Sequence, residues 1–269
     1  MKTVLVTSFD ANYWEQSIVA LHSFISNTDT DNYDVACIVS KDILHREQEY
    51  SDTLGHIVRF VYTDKVNALI DAGVAKEDHW VPVHCYQRIF LGSLLDGYDK
   101  CIYIDPDTLT VRNTSPIFKY PPYAPVMAAM EDLGHNKTIF NTDDIPYFNN
   151  GVMIVDLKYW NEADIEDKLV EWIVNNGPTM TQEQDAMNAV LLNAWFPLPT
   201  SFNTLEFMLY MDPYFAESHT NPLILHYLGP VKPWSKDARI YEWTQRWIDY
   251  YKTIFMKGAS WNPDQSEVQ

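Results

Sequence analysis

The sequence predicts an α/β fold, a Rossmann-like sheet flanked by helices in a single domain. Short apolar runs alternate with segments of helical spacing along most of the chain. Of the 269 residues 46% are hydrophobic, enough to bury one large core. A disordered chain and a disulfide-stapled miniprotein are thereby excluded.

Val4, Leu5 and Val6 read as a buried strand, followed by a polar turn over residues 8–12. Ile18, Val19, Leu21, His22, Phe24 and Ile25 then fall at helical spacing and complete a strand, turn and helix unit. A second strand over residues 35–39 follows the polar stretch 27–32. A third, over 57–62, follows residues 41–55, whose composition suits a surface helix. This alternation predicts parallel pairing through right-handed crossovers. A helix-like segment at 86–95 leads to a strand at 100–104 and the acidic turn Asp105-Pro106-Asp107. Ligands of open α/β sheets bind beyond the carboxyl ends of strands, so the chemistry should begin there.

Pro116, Pro121, Pro122 and Pro125 make the next stretch a loop. Strand patterns resume at Val126 and recur at 151–157. Residues 165–174 are amphipathic with Trp172 on the apolar stripe, 184–192 form a short helix, and 223–226 form the final strand. Tyr241, Trp243, Trp247, Tyr250 and Tyr251 recur near helical spacing in a terminal helix. The domain therefore spans residues 1–257, with 258–269 as a flexible tail.

Lys and Arg number 19 against 37 Asp and Glu, a formal net charge of −18. Such a surface repels phosphate backbones and anionic head groups, which argues against nucleic-acid partners. Cys37, Cys85 and Cys101 lack paired spacing, and Cys37 and Cys101 sit inside apolar runs where a thiol packs as a small hydrophobe. The start of the chain lacks the apolar run of a signal peptide, and no stretch reaches the roughly 18 apolar residues of a membrane span. These features predict a cytoplasmic protein from a reducing compartment.

Asp105 and Asp107 end an apolar strand, and in extended backbone residues i and i+2 point to the same side. Converging carboxylates repel unless a cation joins them, and hard oxygen ligands suit Mn²⁺ or Mg²⁺. A solvated strand-end turn is the competing reading of these two residues alone. Far along the chain another apolar strand ends in His226-Tyr227-Leu228-Gly229-Pro230-Val231-Lys232-Pro233-Trp234. An imidazole is a good Mn²⁺ ligand, and Gly229 and Lys232 offer a diphosphate close backbone approach and one counter-charge. A histidine satisfied within the core and a turn that merely packs are the structural alternatives.

The run from His226 to Trp234 resembles a signature of the glycosyltransferases of family 8, glycogenin and galactinol synthase more than the bacterial lipooligosaccharide galactosyltransferases. The resemblance spans residues 3–235. It includes Val6-Thr7 with Tyr13 and Ser23, Tyr86 to Arg88, residues 99–109 around the aspartates, Phe148-Asn149-Asn150-Gly151-Val152, and Glu183-Gln184. It implies a GT-A fold with a mixed Rossmann-like sheet, a UDP-sugar donor, Mn²⁺ with Mg²⁺ as the alternative, and retention of anomeric configuration. By the same resemblance Asp105, Asp107 and His226 ligate the metal, while Gly229 and Lys232 hold the diphosphate. Thr7, Ser8 and Tyr13 contact the uridine, and Arg88 lies near the donor. Asn149 and Asn150 offer amides suited to sugar hydroxyls, with a plain Asn-Asn-Gly turn as the alternative reading, and Gln184 matches the family glutamine that lies beside the anomeric carbon. Glu183 stands where glycogenin has an aspartate, carrying the same charge on a longer arm.

The donor implied is UDP-glucose or UDP-galactose, and the acceptor a glycan or small molecule. Glycogenin glucosylates its own tyrosine, commonly across a homodimer; Tyr210 falls about where that tyrosine would, with Tyr214 nearby. The apolar neighbours Phe207, Met208, Leu209 and Met211 instead predict packing and a separate acceptor. Two rival functions differ in class. A phosphotransferase of the haloacid dehalogenase type also places Asp-x-Asp after an apolar strand, but leaves residues 226–234 unexplained. A non-catalytic sugar-nucleotide-binding module would be marked by a broken metal set, and this set is whole.

Overall fold

The computed structural model describes residues 1–74, 83–121, 123–130, 133, 135–142, 144–211, 214, 216 and 221–256. Among the described residues ten strands form two sheets: β1 Thr3–Phe9, β2 Asp34–Val39, β3 Arg59–Val61, β4 Lys100–Ile104, β5 Thr108–Thr110, β6 Val126–Met130, β7 Phe148–Asp156, β8 Trp195–Leu198, β9 Thr204–Leu205 and β10 Ile224–His226. The large sheet has the order β3-β2-β1-β4-β7-β6-β8, and the small one β5-β10-β9.

Parallel pairing holds through β3, β2, β1 and β4, and then changes. β7 runs antiparallel to both β4 and β6, so the sheet is mixed, as the family resemblance implied and the alternation alone did not. The inner strands read as apolar runs because helices cover both faces. Alternate residues feed two cores. Val4, Val6, Tyr103 and Met153 pack with Leu91, Trp160, Leu169 and Met187 on one face. Leu5, Cys37, Ile102 and Ile154 pack with Ile18, Phe24, Tyr50 and Leu54 on the other.

The helix after β1 spans Trp14–Ser26, and the one after β2 is shorter than expected, Glu47–Leu54 behind 3₁₀ turns at Lys41–Arg46. Residues 86–95, expected as a helix, are 3₁₀ turns over Val83–Phe90 and a single α-turn, Leu91–Leu94. The helix Lys65–Asp71 and the strands β5, β8 and β9 have no counterpart in the sequence reading. Residues 257–269, which hold the expected tail, lie outside the described residues. Among the described residues no helix is long and apolar enough to cross a membrane. The proline-rich loop is pinned by Lys100, almost fully buried, whose Nζ donates to the carbonyls of Phe118 and Tyr120 at 2.8 and 3.4 Å.

Gly92 is required where the Leu91–Leu94 turn meets the helix Leu157–Glu162. A Cβ there would lie 2.1 Å from Asn161 Oδ1 and 2.7 Å from Cδ1 of the fully buried Trp160. Gly92→Ala should therefore destabilise the fold by about 1–3 kcal/mol through overpacking. Urea unfolding measures this, and an unchanged midpoint would show that the helix interface yields.

Candidate active site

Backbone pairing fixes the acidic turn from two directions. The Asp105 N–H donates to the Gly151 carbonyl of β7 at 2.7 Å, and the Asp107 carbonyl accepts from the Tyr227 N–H at 3.0 Å. Residues 106 and 107 turn rather than extend the strand. The carboxylates thus converge through this turn and the start of β5, not through strand alternation. β10 pairs antiparallel with β5 so that His226 stands opposite Thr108. Two segments remote in sequence are joined at one point.

His226 Nε2 lies 3.3 Å from Asp107 Oδ1 and 3.8 Å from Asp105 Oδ2. One donor atom from each of the three buried residues falls within 4.8 Å of the others. Their remaining atoms face outward to fixed partners. Asp105 Oδ1 meets Arg88 Nη2 at 2.7 Å and accepts from Tyr103 Oη at 2.9 Å, while Asp107 Oδ2 meets Lys232 Nζ at 2.5 Å. His226 Nδ1 lies 2.9 Å from Asn203 Oδ1. Asn203 Nδ2 already donates to Asn149 Oδ1 at 2.8 Å, so its oxygen faces the ring and Nδ1 carries the proton. In this tautomer a neutral imidazole would present its Nε2 lone pair to two carboxylate oxygens. Three acceptors facing one another suit a divalent cation, and two oxygens with one imidazole nitrogen fit Mn²⁺ or Mg²⁺. Burial pushes the Asp107 carboxyl up, but Lys232, and His226 when protonated, outweigh burial and hold it well below the usual carboxylate range.

Gly151 makes room for this cluster. A Cβ on it would lie 2.3 Å from His226 Cε1 and 2.9 Å from Asp105 Oδ2. The Gly151 N–H is held by Asn149 Oδ1 at 2.9 Å, which ties β7 to the same network.

A second buried group adjoins the first. Arg88 reaches past Asp105 to Asn150 Oδ1 at 3.1 Å and Glu183 Oε1 at 3.5 Å. Asn150 Nδ2 donates to the same Glu183 oxygen at 3.4 Å. Glu183 Oε2 is buried without a hydrogen-bond partner, and burial pushes this carboxyl up even though Arg88 opposes the shift. Gln184 Oε1 accepts the Asn150 backbone N–H at 3.1 Å. Both residues open the helix Glu183–Val190 after Gln182, whose φ of 51° and ψ of −113° are costly for a non-glycine residue.

The two groups line one cavity of about 390 Å³, within the roughly 300–1,000 Å³ of small-molecule sites. Ser8, Tyr13, Arg88, Asn149, Asn150, Gly229 and Lys232 line it as well. Thr7 does not: it neighbours Ser8 in β1, so its side chain points to the opposite face, where its hydroxyl is buried without a partner. Tyr13 packs edge-on against Trp234, with ring centroids 5.9 Å apart, so the first turn and the Lys-Pro-Trp segment touch. Burial and Asp107 push its phenol up, keeping it neutral. Gly229, at φ +98°, needs the conformational freedom of glycine.

Sequence reasoning overlooked Asn203, Tyr103, Cys85 and His135, and it gave Gly151 no role. Of these only Gly151 carried a local signal, a glycine directly after two amides near a strand start. Tyr210 and Tyr214 lie elsewhere than the cavity wall. Tyr210 stacks on Tyr241 at 4.2 Å and its hydroxyl accepts the Trp243 N–H at 2.7 Å, whereas Tyr214 and Met211 are 84% and 75% exposed. The expected packing thus holds for Tyr210 and not for Met211.

Gly151→Ala should displace His226 and Asp105 and weaken Mn²⁺ binding in the presence of UDP by on the order of 10–100-fold, the range for disturbed outer partners of metal ligands. Calorimetric titration checks this; wild-type affinity would mean that the cluster does not hold the ion.

The profile of Glycosyl transferase family 8 matches residues 4–238. General stress protein A of Bacillus subtilis is 28% identical over 61% of this chain and 64% of its own length. A probable glycosyl transferase, Gly, of Streptococcus gordonii is 29% identical over 76% of this chain, which spans only 28% of that protein. Lipopolysaccharide 1,2-glucosyltransferase of Escherichia coli K12 is 26% identical over 95% of this chain and 78% of its own length. Glycogenin-1 of Caenorhabditis elegans is 25% identical over 89% of this chain and 53% of its own length, in keeping with the glycogenin-like resemblance. The crystal structure of the galactosyltransferase LgtC with donor and acceptor sugar analogues shares the fold, with a TM-score of 0.76, 21% identity, and coverage of 93% of this chain and 95% of that one. With the expected GT-A architecture in place around the buried Asp105, Asp107 and His226, the chain belongs to glycosyltransferase family 8.

Proposed function

We propose that this chain is a retaining hexosyltransferase that moves glucose or galactose from a UDP-sugar to a hydroxyl of a separate acceptor, a glycan or small molecule. The observation that carries the reading is the Asp105, Asp107 and His226 cluster, backed by Arg88, Lys232 and Asn203, at the wall of a cavity large enough for a ligand. Asp105, Asp107 and His226 would hold Mn²⁺, or Mg²⁺ in its place, whose chemistry when bound is to offset the negative charge of the diphosphate and of departing UDP.

The residues of the chain divide the remaining work. Lys232 Nζ, held by Asp107 and by the Tyr227 carbonyl at 2.7 Å, supplies a fixed cation for the diphosphate, and Gly229 lets the backbone come close. Tyr13 offers a ring for the base, and Ser8 lies beside it at the end of β1. Glu183 Oε2 is placed to accept from a hydroxyl of the sugar, with Arg88 and Asn150 fixing its other oxygen. Gln184 and Asn149 complete the polar wall. Retention is the stereochemistry the family resemblance implies, and with Asp105 and Asp107 given to the metal set and Glu183 held through Oε1 by Arg88 and Asn150 we assign it to same-face displacement. The packing of Tyr210 against Tyr241 supports a separate acceptor over self-glucosylation.

A panel of UDP-sugars with Mn²⁺, scored for UDP release with and without acceptors, tests the proposal. Turnover is expected with UDP-glucose or UDP-galactose, lost in excess EDTA and lowered by on the order of 10²-fold or more in Asp107→Ala. Binding of UDP-sugar without any turnover would favour a non-catalytic module, and phosphatase activity alone a phosphotransferase. Hexose increments on Tyr210 or Tyr214 in intact-mass spectra would transfer the reading to self-glucosylation. A separate comparison isolates the diphosphate contact. Lys232→Ala should weaken UDP and UDP-sugar binding together, whereas Gln184→Ala should lower turnover with UDP affinity nearly unchanged. Equal UDP affinities for wild type and Lys232→Ala would remove that lysine from the site.

A further inference from the structure

Gln184 can serve a reacting sugar only if its carboxamide presents the right atom, and a carboxamide reverses its donor and acceptor by a half-turn about one bond. Tyr147, directly before β7, holds its nitrogen end, while the Asn150 backbone N–H holds its oxygen end. Tyr147 is 1% exposed, and its hydroxyl is the meeting point of three side chains. Asp185 Oδ1 lies 2.7 Å away, Thr181 Oγ1 2.7 Å away, and Gln184 Nε2 3.2 Å away. A carboxylate can only accept, so the single phenolic proton goes to Asp185. The tyrosine oxygen then accepts from the other two, which requires the NH₂ end of Gln184 to face it. Gln184 Oε1 is consequently turned to the Asn150 backbone N–H, at 3.1 Å.

Asp185 is itself fixed. Its other oxygen accepts the Thr181 N–H at 3.1 Å, just ahead of the Gln182 turn, and its side chain is 1% exposed. Asn188 clamps the same helix to β7, accepting the Phe148 N–H at 2.8 Å and donating to the Phe148 carbonyl at 2.9 Å. The His135 and Tyr147 rings meet in a T-shaped arrangement, with centroids 5.9 Å apart, and His135 lines the cavity. Proton direction therefore passes from a buried carboxylate through a phenol to the amide of Gln184.

We infer that Tyr147 and Asp185 are positioning residues that set the orientation of the Gln184 carboxamide, and through it the turnover of the sugar donor, without themselves touching the donor. The inference rests on the hexosyltransferase reading, since it assigns Gln184 a place beside the transferred sugar.

A double-mutant cycle tests it, with UDP-sugar hydrolysis or transfer as the rate and calorimetric UDP affinity as the control. Tyr147→Phe removes the hydroxyl and keeps the ring. It should lower kcat by on the order of tenfold to 10²-fold, the scale of a misplaced group, while KM and UDP affinity stay within about twofold. In a Gln184→Ala background the same change should alter kcat less than about twofold, because the group it orients is gone. Asp185→Asn, which can no longer compel the phenol to donate, should repeat the pattern and serves if Tyr147→Phe does not fold. An unchanged kcat in Tyr147→Phe, or an equal loss in the Gln184→Ala background, would overturn the inference. Wild-type protein that turns over no UDP-sugar would instead overturn the function on which it rests.

Discussion

The site depends on the pairing of β10 with β5. Three residues of β10 join three of β5, and this short ladder sets His226 opposite Thr108, one residue beyond Asp107. Without it the aspartates would be an acidic turn and the histidine a strand end on another part of the chain. The pairing holds because its surroundings leave β10 little freedom. Ile224 and Leu225 are fully buried, β9 pairs on the other side, and the Tyr227 N–H is taken by the Asp107 carbonyl. The helix Glu242–Phe255 closes over the small sheet with Trp247 fully buried, and Tyr227 Oη donates to the Trp243 carbonyl at 2.8 Å.

Burying so many charges at one place is unfavourable unless each is paired and hydrogen-bonded. The cavity lining meets that demand by chaining charges. Arg88 lies between Asp105 and Glu183, and Lys232 lies against Asp107. Three carboxylates then face two fixed cations, Arg88 and Lys232, which leaves a deficit of positive charge where the ligand atoms converge. A divalent ion held there would reverse the local sign and would make the pocket complementary to a diphosphate, even though the chain as a whole carries −18. Net charge of the whole chain therefore says nothing about the sign a pocket of this kind presents to a ligand.

Much of the large sheet was legible because its strands are apolar on both faces. Residues 4–6, 35–39, 100–104 and 151–157 announce themselves by composition, and the turn after each parallel strand is polar. Strand direction was not legible from residues alone: nothing in the apolar run at Gly151 distinguishes a strand that returns antiparallel beside β4 from one that continues the parallel order. β5, β9 and the single helical turns are too short for any period to emerge, and Thr108 and Thr110 lack an apolar signature. At the site, residues that touch the cavity carried chemical signals of their own, a carboxylate pair, a histidine before Gly and Lys, an Asn-Asn-Gly. Asn203, Tyr147 and Asp185 act through other side chains. Their types are common in any surface loop, and only the three-dimensional path from atom to atom gives them meaning.

Asp107 shows why the elements of this site resist separation. Its two oxygens face two different tasks: Oδ1 turns to His226 Nε2 at 3.3 Å, and Oδ2 holds Lys232 at 2.5 Å. The proposed ion site and the lysine proposed to meet the diphosphate therefore share one carboxylate. Lys232 is also tied to the Tyr227 carbonyl, so its long side chain is ordered in advance. That spares on the order of 1.5–2 kcal/mol of rotamer entropy that a free lysine would lose on meeting a phosphate. The same residue Tyr227 donates its own N–H to the Asp107 backbone. One main-chain segment thus locates the carboxylate, the lysine and the histidine together. A displacement of β10 would move all three at once, and charge placement in the pocket is consequently a property of strand pairing rather than of any single side chain.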